Sequence, residues 1–301
     1  MKDRVCAVVV TFEPDLAFLR ENLIACFAQV DCLVVVDNAS NCATRTCIGE
    51  LVREIGCEIL QLTENLGVAT AQNRGVARAR FNLCSSVIFF DQDSKPAHGM
   101  VDALKKATRD LTAEKFSVAA VGPQLLDRRT GAYTPFVRIG MFSVTKITAD
   151  RGGRHLIPTD FLVSSGMLIA MSAFDQVGGL EEGLFIDNVD LEWCFRARSM
   201  GFGLYGVSDA VLEHSVGDQI IKVGSRVIHR HSPLRQYYIM RNRILLYQRS
   251  YSPKGWIVQD FFRMLFKFAA FSLFFAPRRQ NFRMMVRGVR HGLSGKAGRY
   301  L

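Results

Sequence analysis

Apolar runs and amphipathic stretches alternate along the first 121 residues of the chain. The run from Arg4 to Val10 is continuous and rich in β-branched residues, which is typical of a strand buried on both faces. After Pro14, apolar residues recur at helical spacing at Leu16, Leu19, Leu23 and Phe27. Further strands are predicted over 32–36, 57–62, 86–90 and 118–121, with helices over 66–80 and 98–111. This alternation predicts an α/β fold in which helices cover both faces of a mostly parallel sheet.

Polar loops follow several of these predicted strands. Ligands of open parallel sheets bind beyond the carboxyl ends of the strands. The loops after the first, second and fourth strands, including 37–41, are therefore expected to converge on one crevice. Residues 123–165 have a weaker pattern and several glycines, and we expect them to shape the site of a second substrate.

Asp91-Gln92-Asp93 directly follows the apolar run 87–90. Two carboxylates separated by one residue at a strand end can both face a polar crevice. Mg²⁺ and Mn²⁺ prefer such oxygen ligands and bridge phosphates, and the metal would neutralise charge on a departing diphosphate. An ordinary acidic turn is the alternative, and the position after the fourth strand favours the metal site.

A second acidic segment spans 187–193 and begins Asp-Asn-Val-Asp. An acceptor hydroxyl needs a general base within hydrogen-bonding reach, and a carboxylate suits that role. Asp190 and Glu192 also suit a structural role as acids of a first helical turn. Asp187 fits that structural role less well, because it precedes the predicted helix.

His214 follows the apolar residues 210–212. A histidine at a strand end can be a third metal ligand or a phosphate contact. A purely structural histidine is the alternative. The two acidic segments that precede His214 keep the metal role open.

The segment 65–69 contains Gly67 and leads into a predicted helix. Glycine allows close approach of the backbone, and a helix N-terminus favours a phosphate. Asn73 and Arg74 can donate hydrogen bonds to a diphosphate. A capped surface helix is the alternative.

With Thr11-Phe12 and the loop 37–40, these elements occur in the order seen in inverting family 2 glycosyltransferases of the GT-A fold. The chain resembles that family over residues 5–250, and within it the bacterial rhamnosyltransferase branch, which builds O-antigen and related polysaccharides. The segments that indicate this branch are 65–73, 90–94 and 185–194. The resemblance implies transfer of L-rhamnose from dTDP-L-rhamnose to a saccharide acceptor, often lipid-linked, with inversion of the anomeric configuration.

The resemblance also implies roles for individual residues. The implied nucleotide-sugar site consists of Thr11, Glu13, Asp37, Asn38, Asn65, Asn73, Arg74, Asp91 and Gln92. The implied Mg²⁺ or Mn²⁺ site consists of Asp91, Asp93 and His214. Many family members have Glu-Asp in place of Asp187-Asn188, and the second acid is then usually the base. Because Asn188 cannot accept a proton at neutral pH, the base is expected to be Asp187, or otherwise Asp190.

The C-terminal part of the chain is strongly basic. Residues 219–301 hold 17 Lys and Arg against a single acid, Asp260, whereas the whole chain has a net charge of +10. The uninterrupted apolar run 268–276 is much shorter than the about 20 residues that span a bilayer. A helix lying on an anionic membrane surface is one interpretation, and a helix packed on the core with a solvated basic end is the other.

The expected organisation is a GT-A domain over 1–250, with a nucleotide-sugar half (1–122) and an acceptor half (123–250), followed by a helical basic region over 251–301. No signal peptide is visible, and the eight scattered cysteines suit a reducing compartment. We therefore expect a cytoplasmic protein at the inner face of the cytoplasmic membrane. The alternatives are a transferase with a UDP-sugar donor and a non-catalytic nucleotide-sugar-binding protein. A nucleic-acid partner is not expected, because no recognised module is present.

Overall fold

A computed structural model of the protein describes residues 3–148, 155–214, 219–223 and 226–300. Its strands are β1 Val5–Thr11, β2 Cys32–Asp37, β3 Glu58–Gln61, β4 Ser86–Asp91, β5 Lys95–Pro96, β6 Val118–Asp127, β7 Phe136–Ile139, β8 Val144–Ile147, β9 Leu156–Thr159, β10 Leu168–Ala170, β11 Gly203–His214, β12 Gln219–Val223 and β13 Arg226–Arg230. Its helices are α1 Leu16–Phe27, α2 Cys42–Ile55, α3 Val68–Phe81, α4 Met100–Ala113, α5 Met171–Val177, α6 Val189–Ser199, α7 Pro233–Tyr247, α8 Lys254–Leu273 and α9 Arg278–Leu293, with a 3₁₀ helix over Glu182–Leu184.

One large sheet forms the centre of the fold, with the strand order β3-β2-β1-β4-β10-β6-β11-β5. β1 is parallel to β2 and β4. The short β10 is inserted antiparallel between β4 and β6, and β6 is parallel to β11. The long strands therefore all point the same way, and their carboxyl ends share one edge. That edge carries Thr11, Asp37, Asp91 and His214.

Two apolar layers cover the faces of the sheet. One layer joins the sheet to α3, α5 and α6 around residues such as Phe89 and Trp193. The other joins it to α1, α2 and α4 around residues such as Leu19 and Leu104. The residues of β1 from Val5 to Val9 are fully buried, because apolar side chains on both faces of a parallel strand pack against helices.

The predicted fold class is confirmed, and β1 to β4 lie within one or two residues of their predicted bounds. The helix α2 was missed because few apolar residues mark its buried face; Asn41 caps it by accepting the Thr44 N–H at 3.0 Å. β6 extends to Asp127, and the region predicted to be irregular contains the β7–β8 hairpin and β9. The alternation in these short strands is too brief to identify, and residues 149–154 of that region lie outside the described ranges.

The C-terminal helices form a layer of their own. α9 packs against α7 and α8 around Met240, Met264, Phe271 and Met285. Part of the apolar surface of α8 is thus buried, but its outer face exposes Val258, Phe261, Phe262, Leu265 and Phe266. Within the described ranges no helix combines the length and the hydropathy that crossing a bilayer requires.

Candidate active site

Three predicted metal ligands meet at the carboxyl edge of the sheet. Asp91 ends β4, Asp93 lies in the turn that follows, and His214 ends β11. One ligand atom from each lies within 4.8 Å of the others. The sequence brings these residues together because parallel strands end at the same edge, although His214 is far away along the chain.

The electrostatics of this cluster suit a cation. Burial raises the pKa of Asp91. The nearby His214 lowers this pKa, whereas the neighbouring Asp93 raises it. A divalent cation between the carboxylates would relieve both the desolvation and the repulsion, because it becomes the largest local charge. Two carboxylates and an imidazole also form a donor set that Mg²⁺ or Mn²⁺ accepts. The residues present therefore fit such an ion.

Two serines that the sequence did not indicate hold the cluster in place. The Ser94 hydroxyl lies 2.7 Å from Nδ1 of His214. Ser165 donates to Ser94 at 2.7 Å and accepts the backbone N–H of Asp91 at 3.1 Å. Both serine side chains are buried. A hydroxyl of this kind orients the imidazole, as partners of metal-ligating histidines commonly do.

The nucleoside side of the predicted site is a closed hydrogen-bond network. Thr11 and Asp37 are fully buried. The Asp37 carboxylate accepts from the hydroxyls of Thr11 at 3.2 Å and Ser40 at 2.6 Å, and it pairs with Arg45 at 3.2 Å. These bonds fix the loop after β2. Glu13, with a positive φ, accepts from the backbone and amide of Asn41 at 2.6 and 2.7 Å, which ties the loop after β1 to the loop after β2.

Asn38 and Asn65 join the next pair of loops. The Asn38 amide donates to Oδ1 of Asn65 at 3.1 Å and accepts the Leu66 N–H at 2.9 Å. The same Asn65 oxygen accepts the Gly67 N–H at 3.0 Å. Gln92 accepts the Phe12 N–H at 2.8 Å and so connects the loop after β1 to the metal cluster. The predicted donor residues around β1, β2 and β4 are therefore neighbours.

The N-terminus of α3 also makes contacts within the protein. Its Val68 N–H donates to the Phe185 carbonyl at 2.7 Å, and a Cβ at Gly67 would lie 2.4 Å from that oxygen. Gly67 therefore permits close packing of the loop that leads to Asp187. Asn73 is also used internally, since its amide bonds Leu180 and Glu182. Arg74 is exposed and makes no hydrogen bond within the described part of the chain.

Asp187 lies on a loop that helix α7 holds. Its carboxylate is 17% exposed and pairs with Arg235 at 3.1 Å. Phe185, Asp187 and Asn188 all have positive φ, a conformation that costs energy for residues other than glycine. Tertiary contacts must therefore maintain the loop.

Two buried polar residues of α7 supply those contacts. Arg241 is fully buried and donates to the carbonyls of Gly183 at 3.1 Å and Leu184 at 2.8 Å. Asn242 donates to Ile186 at 2.7 Å and to Asp187 at 2.8 Å. Sequence reasoning missed both residues. The available signal is the run of three polar residues at 241–243, which has apolar residues on both sides within the helix.

Asp190 lies behind this loop, in the first turn of α6. It accepts the N–H groups of Leu191 at 2.8 Å and Ser164 at 3.3 Å. Burial raises the pKa of Asp190 to about 6, although these two hydrogen bonds oppose the change. Asp91 and Asp187 are close enough to raise it further, so the three carboxylates share one electrostatic environment.

Glu192, in contrast, has a structural role. Its buried carboxylate pairs with Arg196 at 2.8 Å and accepts the Tyr251 hydroxyl at 2.6 Å. It ties α6 to the segment between α7 and α8.

Comparison with known proteins identifies the class to which this fold and site belong. The model of glycosyl transferase family 2 matches residues 6–174, so the chain belongs to that family. It is similar to the dTDP-rhamnosyl transferase RfbF of Shigella flexneri, at 29% identity over 299 residues that cover 99% of this chain and 97% of the relative. The predicted family is confirmed, and this full-length similarity supports the predicted rhamnosyltransferase branch.

Solved structures show the same fold. GalNAc-T7 with UDP, GalNAc and Mn²⁺ matches 97% of this chain with a TM-score of 0.61 at 11% identity, and the chain spans 56% of that protein. S. aureus TarS 1-349 in complex with UDP-GlcNAc has a TM-score of 0.59 at 16% identity. That match covers 97% of this chain and 81% of the TarS chain. At such identities these likenesses concern the fold alone, and the predicted GT-A fold is confirmed.

Proposed function

We propose that the protein is an inverting, metal-dependent rhamnosyltransferase that transfers L-rhamnose from dTDP-L-rhamnose to a hydroxyl of a lipid-linked saccharide during bacterial cell-surface polysaccharide synthesis. The observation that carries the transfer chemistry is the convergence of Asp91, Asp93 and His214 within 4.8 Å. The full-length similarity to a dTDP-rhamnosyl transferase supports the donor.

The donor is assigned to the loops at the carboxyl edge of the sheet. The networks of Glu13 with Asn41 and of Asn38 with Asn65 give these loops a fixed shape before the donor binds. The buried Thr11 and Asp37 maintain that shape rather than touch the nucleotide. Arg74 is exposed and remains available for the diphosphate. Preformed loops reduce the entropy lost when the sugar nucleotide is positioned.

Asp91, Asp93 and His214 are the residues that would hold Mg²⁺ or Mn²⁺. The bound ion would neutralise charge on the departing diphosphate. Gln92 orients the loop after β1 toward the same place through the Phe12 N–H. The buried apolar residues of β1 and β4 provide a rigid support for these ligands.

Asp187 is assigned as the general base. It accepts the proton of the acceptor hydroxyl as that oxygen attacks the anomeric carbon. The bond from this carbon to the diphosphate oxygen breaks, its electron pair leaves with dTDP, and the configuration inverts. Arg235 fixes the direction of the Asp187 carboxylate, which is still partly exposed to a substrate.

Asp190 is a second candidate for the base, because its pKa of about 6 is close to neutral pH. Asp187→Asn and Asp190→Asn separate the two assignments. If Asp187 is the base, Asp187→Asn abolishes transfer without weakening donor binding, whereas Asp190→Asn retains turnover. Wild-type turnover by Asp187→Asn would refute the assignment.

A peripheral position on the cytoplasmic side of the membrane completes the proposal. The basic residues of α9 include Arg278, Arg279, Arg283, Arg287 and Arg290. Such a cluster adds attraction to anionic lipids of about 1 kcal/mol per basic residue at the surface. Sedimentation with anionic vesicles that salt reverses is expected, and no binding at low salt would contradict it.

The donor is tested directly by calorimetric titration with dTDP-L-rhamnose, with and without Mg²⁺, beside UDP-glucose and UDP-N-acetylglucosamine. Metal-dependent binding of the dTDP sugar alone is expected. Preference for a UDP sugar would retain the fold and the metal site but reject the rhamnosyl donor. Absence of binding to all three would reject the proposed donor and favour a non-catalytic protein.

A further inference from the structure

A groove of about 730 Å³ runs between α7 and α8. Among the residues that line it, Gln236 and Arg243 come from α7, and Asp260, Arg263 and Lys267 come from α8. Three cations and one carboxylate give this part of the lining a net charge of +2. The metal site uses none of these residues.

The single carboxylate of this set is already neutralised. Asp260 pairs with Nε of Arg243 at 3.3 Å and accepts the Tyr247 hydroxyl at 2.7 Å. Nη1 of Arg243 and Oε1 of Gln236 are buried and have no hydrogen-bond partner among the described residues. Buried polar atoms normally have partners. A ligand that accepts from Arg243 would provide one, and phosphate oxygens suit a guanidinium well.

Lys267 contributes a further cation to the groove. The residue is exposed, but the surrounding chain lowers its pKa by desolvation and the nearby Arg243 lowers it further. Two cations that repel each other across a groove are stabilised by an anion between them.

An apolar surface adjoins these cations. Phe262 and Phe266 line the groove and are 66% and 67% exposed. Val258, Phe261 and Leu265 extend this surface along the same helix at spacings of three and four residues. We call these five residues the phenylalanine stripe. An exposed apolar face of this kind marks a surface that contacts lipid or another partner.

Helix α7 connects the groove to the candidate active site. Arg235, next to Gln236 on α7, pairs with Asp187, and Asn242, next to Arg243, holds the Asp187 carbonyl. The Asp187 carboxylate is itself among the charges that act on Lys267. A ligand in the groove therefore lies beside the proposed general base.

We propose that this groove binds the phosphate or diphosphate headgroup of the acceptor lipid and that its hydrocarbon chain lies along the phenylalanine stripe. The inference rests on the proposed transferase function, since it places the acceptor of that reaction. Charge complementarity selects the headgroup, and the exposed stripe selects the hydrocarbon chain. The acceptor class that fits is a short saccharide joined through phosphate to a long alkyl or prenyl chain, because the headgroup lies so close to Asp187.

The test uses farnesyl diphosphate as the probe, with inorganic diphosphate and farnesol for comparison. Binding to the full chain is measured calorimetrically without sugar nucleotide. We expect farnesyl diphosphate to bind more tightly than either half of the molecule. The double variant Arg263→Gln, Lys267→Gln should weaken its binding at least about tenfold, which is the loss expected when charged hydrogen bonds are removed. Phe262→Ser, Phe266→Ser should weaken farnesyl diphosphate but not inorganic diphosphate.

The matched control is Lys106→Gln, Arg109→Gln, which removes the same charge from exposed positions of α4, away from the groove and from the basic C-terminal helices. This control should bind the probe as the unaltered protein does. Equal losses in the control and in the groove variant would attribute binding to general surface charge and overturn the proposal. Equal affinity for inorganic and farnesyl diphosphate would also overturn it, because the groove would then be a free-phosphate site. Probe binding in a protein that fails to bind dTDP-L-rhamnose would reject the proposed donor while leaving the groove assignment intact.

Discussion

The two halves of the candidate active site are stabilised in different ways. On the donor side, Asp37 receives hydrogen bonds from Ser40 and Arg45, three and eight residues further along, and from Thr11 on the adjacent strand β1. On the acceptor side, Asp187 depends on Arg235 and Asn242 of α7, which lie 48 and 55 residues further along. Local neighbours can position a side chain without affecting distant packing. A loop held by a remote helix couples catalysis to the stability of that helix.

Of the substitutions that test this comparison, Asp93→Asn, on the donor side, is expected to have the largest effect. Loss of a charged metal ligand should remove several kcal/mol of transition-state stabilisation, a decrease in kcat/KM on the order of a thousandfold. Stability without metal should remain unchanged or increase, because Asp93 repels the buried Asp91. Turnover and urea unfolding, measured on the same preparation, check both expectations.

The exposed helical acid Asp102 provides the control for Asp93. Asp102→Asn should leave turnover as it is and, because Asp102 lies in the first turn of α4, lower the free energy of unfolding by at most about 1 kcal/mol. Full activity of Asp93→Asn at saturating Mg²⁺ and Mn²⁺ would exclude Asp93 from the metal site.

Arg241→Ala is expected to have the opposite signature, because it lies on the acceptor side. The substitution removes the hydrogen bonds that the buried guanidinium donates to the carbonyls of Gly183, Leu184 and Gly298. Hydrogen bonds that involve a charged group contribute about 1.5–3 kcal/mol each, so the loss of these bonds should lower the free energy of unfolding by about 3 kcal/mol or more. Turnover should fall as well, because the loop that carries Asp187 loses its support. Urea unfolding and steady-state kinetics measure the two losses.

Arg249, at the end of the same helix, is the matched control for Arg241. Its ion pair with Glu181 spans 3.4 Å and is largely exposed. Such pairs contribute about 0–1 kcal/mol, so Arg249→Ala should have little effect. If Arg241→Ala lost stability but kept full turnover, the proposed coupling between helix and loop would be wrong.

Asp190 adds a pH dependence to the acceptor side. Its pKa is raised from 3.8 to about 6, so the folded chain holds this proton where the unfolded chain has released it. Protonated Asp190 therefore contributes to the free energy of unfolding at low pH. This contribution falls by up to about 3 kcal/mol as pH rises from about 4 to about 6, and it stays low at higher pH. Asp190→Asn should consequently gain stability relative to the unaltered protein between pH 4 and pH 7. Urea unfolding without metal at several pH values measures this change.

Asp175→Asn is the reference for Asp190, because Asp175 is exposed and paired with Arg80 on the surface. Its stability should follow that of the unaltered protein across the same pH range. If the stability of Asp190→Asn also followed that of the unaltered protein across this pH range, burial would not raise the pKa of the Asp190 carboxyl.

The contrast between the donor and acceptor sides also explains how much of the site the sequence could predict. Asp91 and Asp93 were predicted as metal ligands from their position after a strand, and the resemblance to family 2 glycosyltransferases implied His214 as the third ligand. The structure brings all three to one edge of the sheet, because parallel strands end there whatever their separation along the chain. Arg241 and Asn242 were missed, since no local pattern shows which distant loop a helix will contact. Ser94 and Ser165 were missed because a serine near a strand end has no distinctive signal. Periodicity predicts elements and edges, but it does not predict which polar side chains pair across the core.

The smallest expected effect tests the backbone of the acceptor loop. Asn188 is the N-cap of α6 and has a φ of +63°. Asparagine adopts this left-handed conformation more readily than other residues that carry a Cβ, and glycine adopts it without strain. Asn188→Ala should therefore lower the free energy of unfolding by about 1 kcal/mol, whereas Asn188→Gly should change it by a few tenths.

Urea unfolding distinguishes the conformational effect from loss of the amide. Nδ2 of Asn188 is buried and has no hydrogen-bond partner among the described residues. Removing the amide therefore breaks no hydrogen bond of this nitrogen within the described part of the chain. Equal destabilisation by alanine and glycine would show that the amide matters and that the backbone does not. A difference of about 1 kcal/mol between them would show that the loop bearing Asp187 is maintained in a strained conformation, as its dependence on α7 requires.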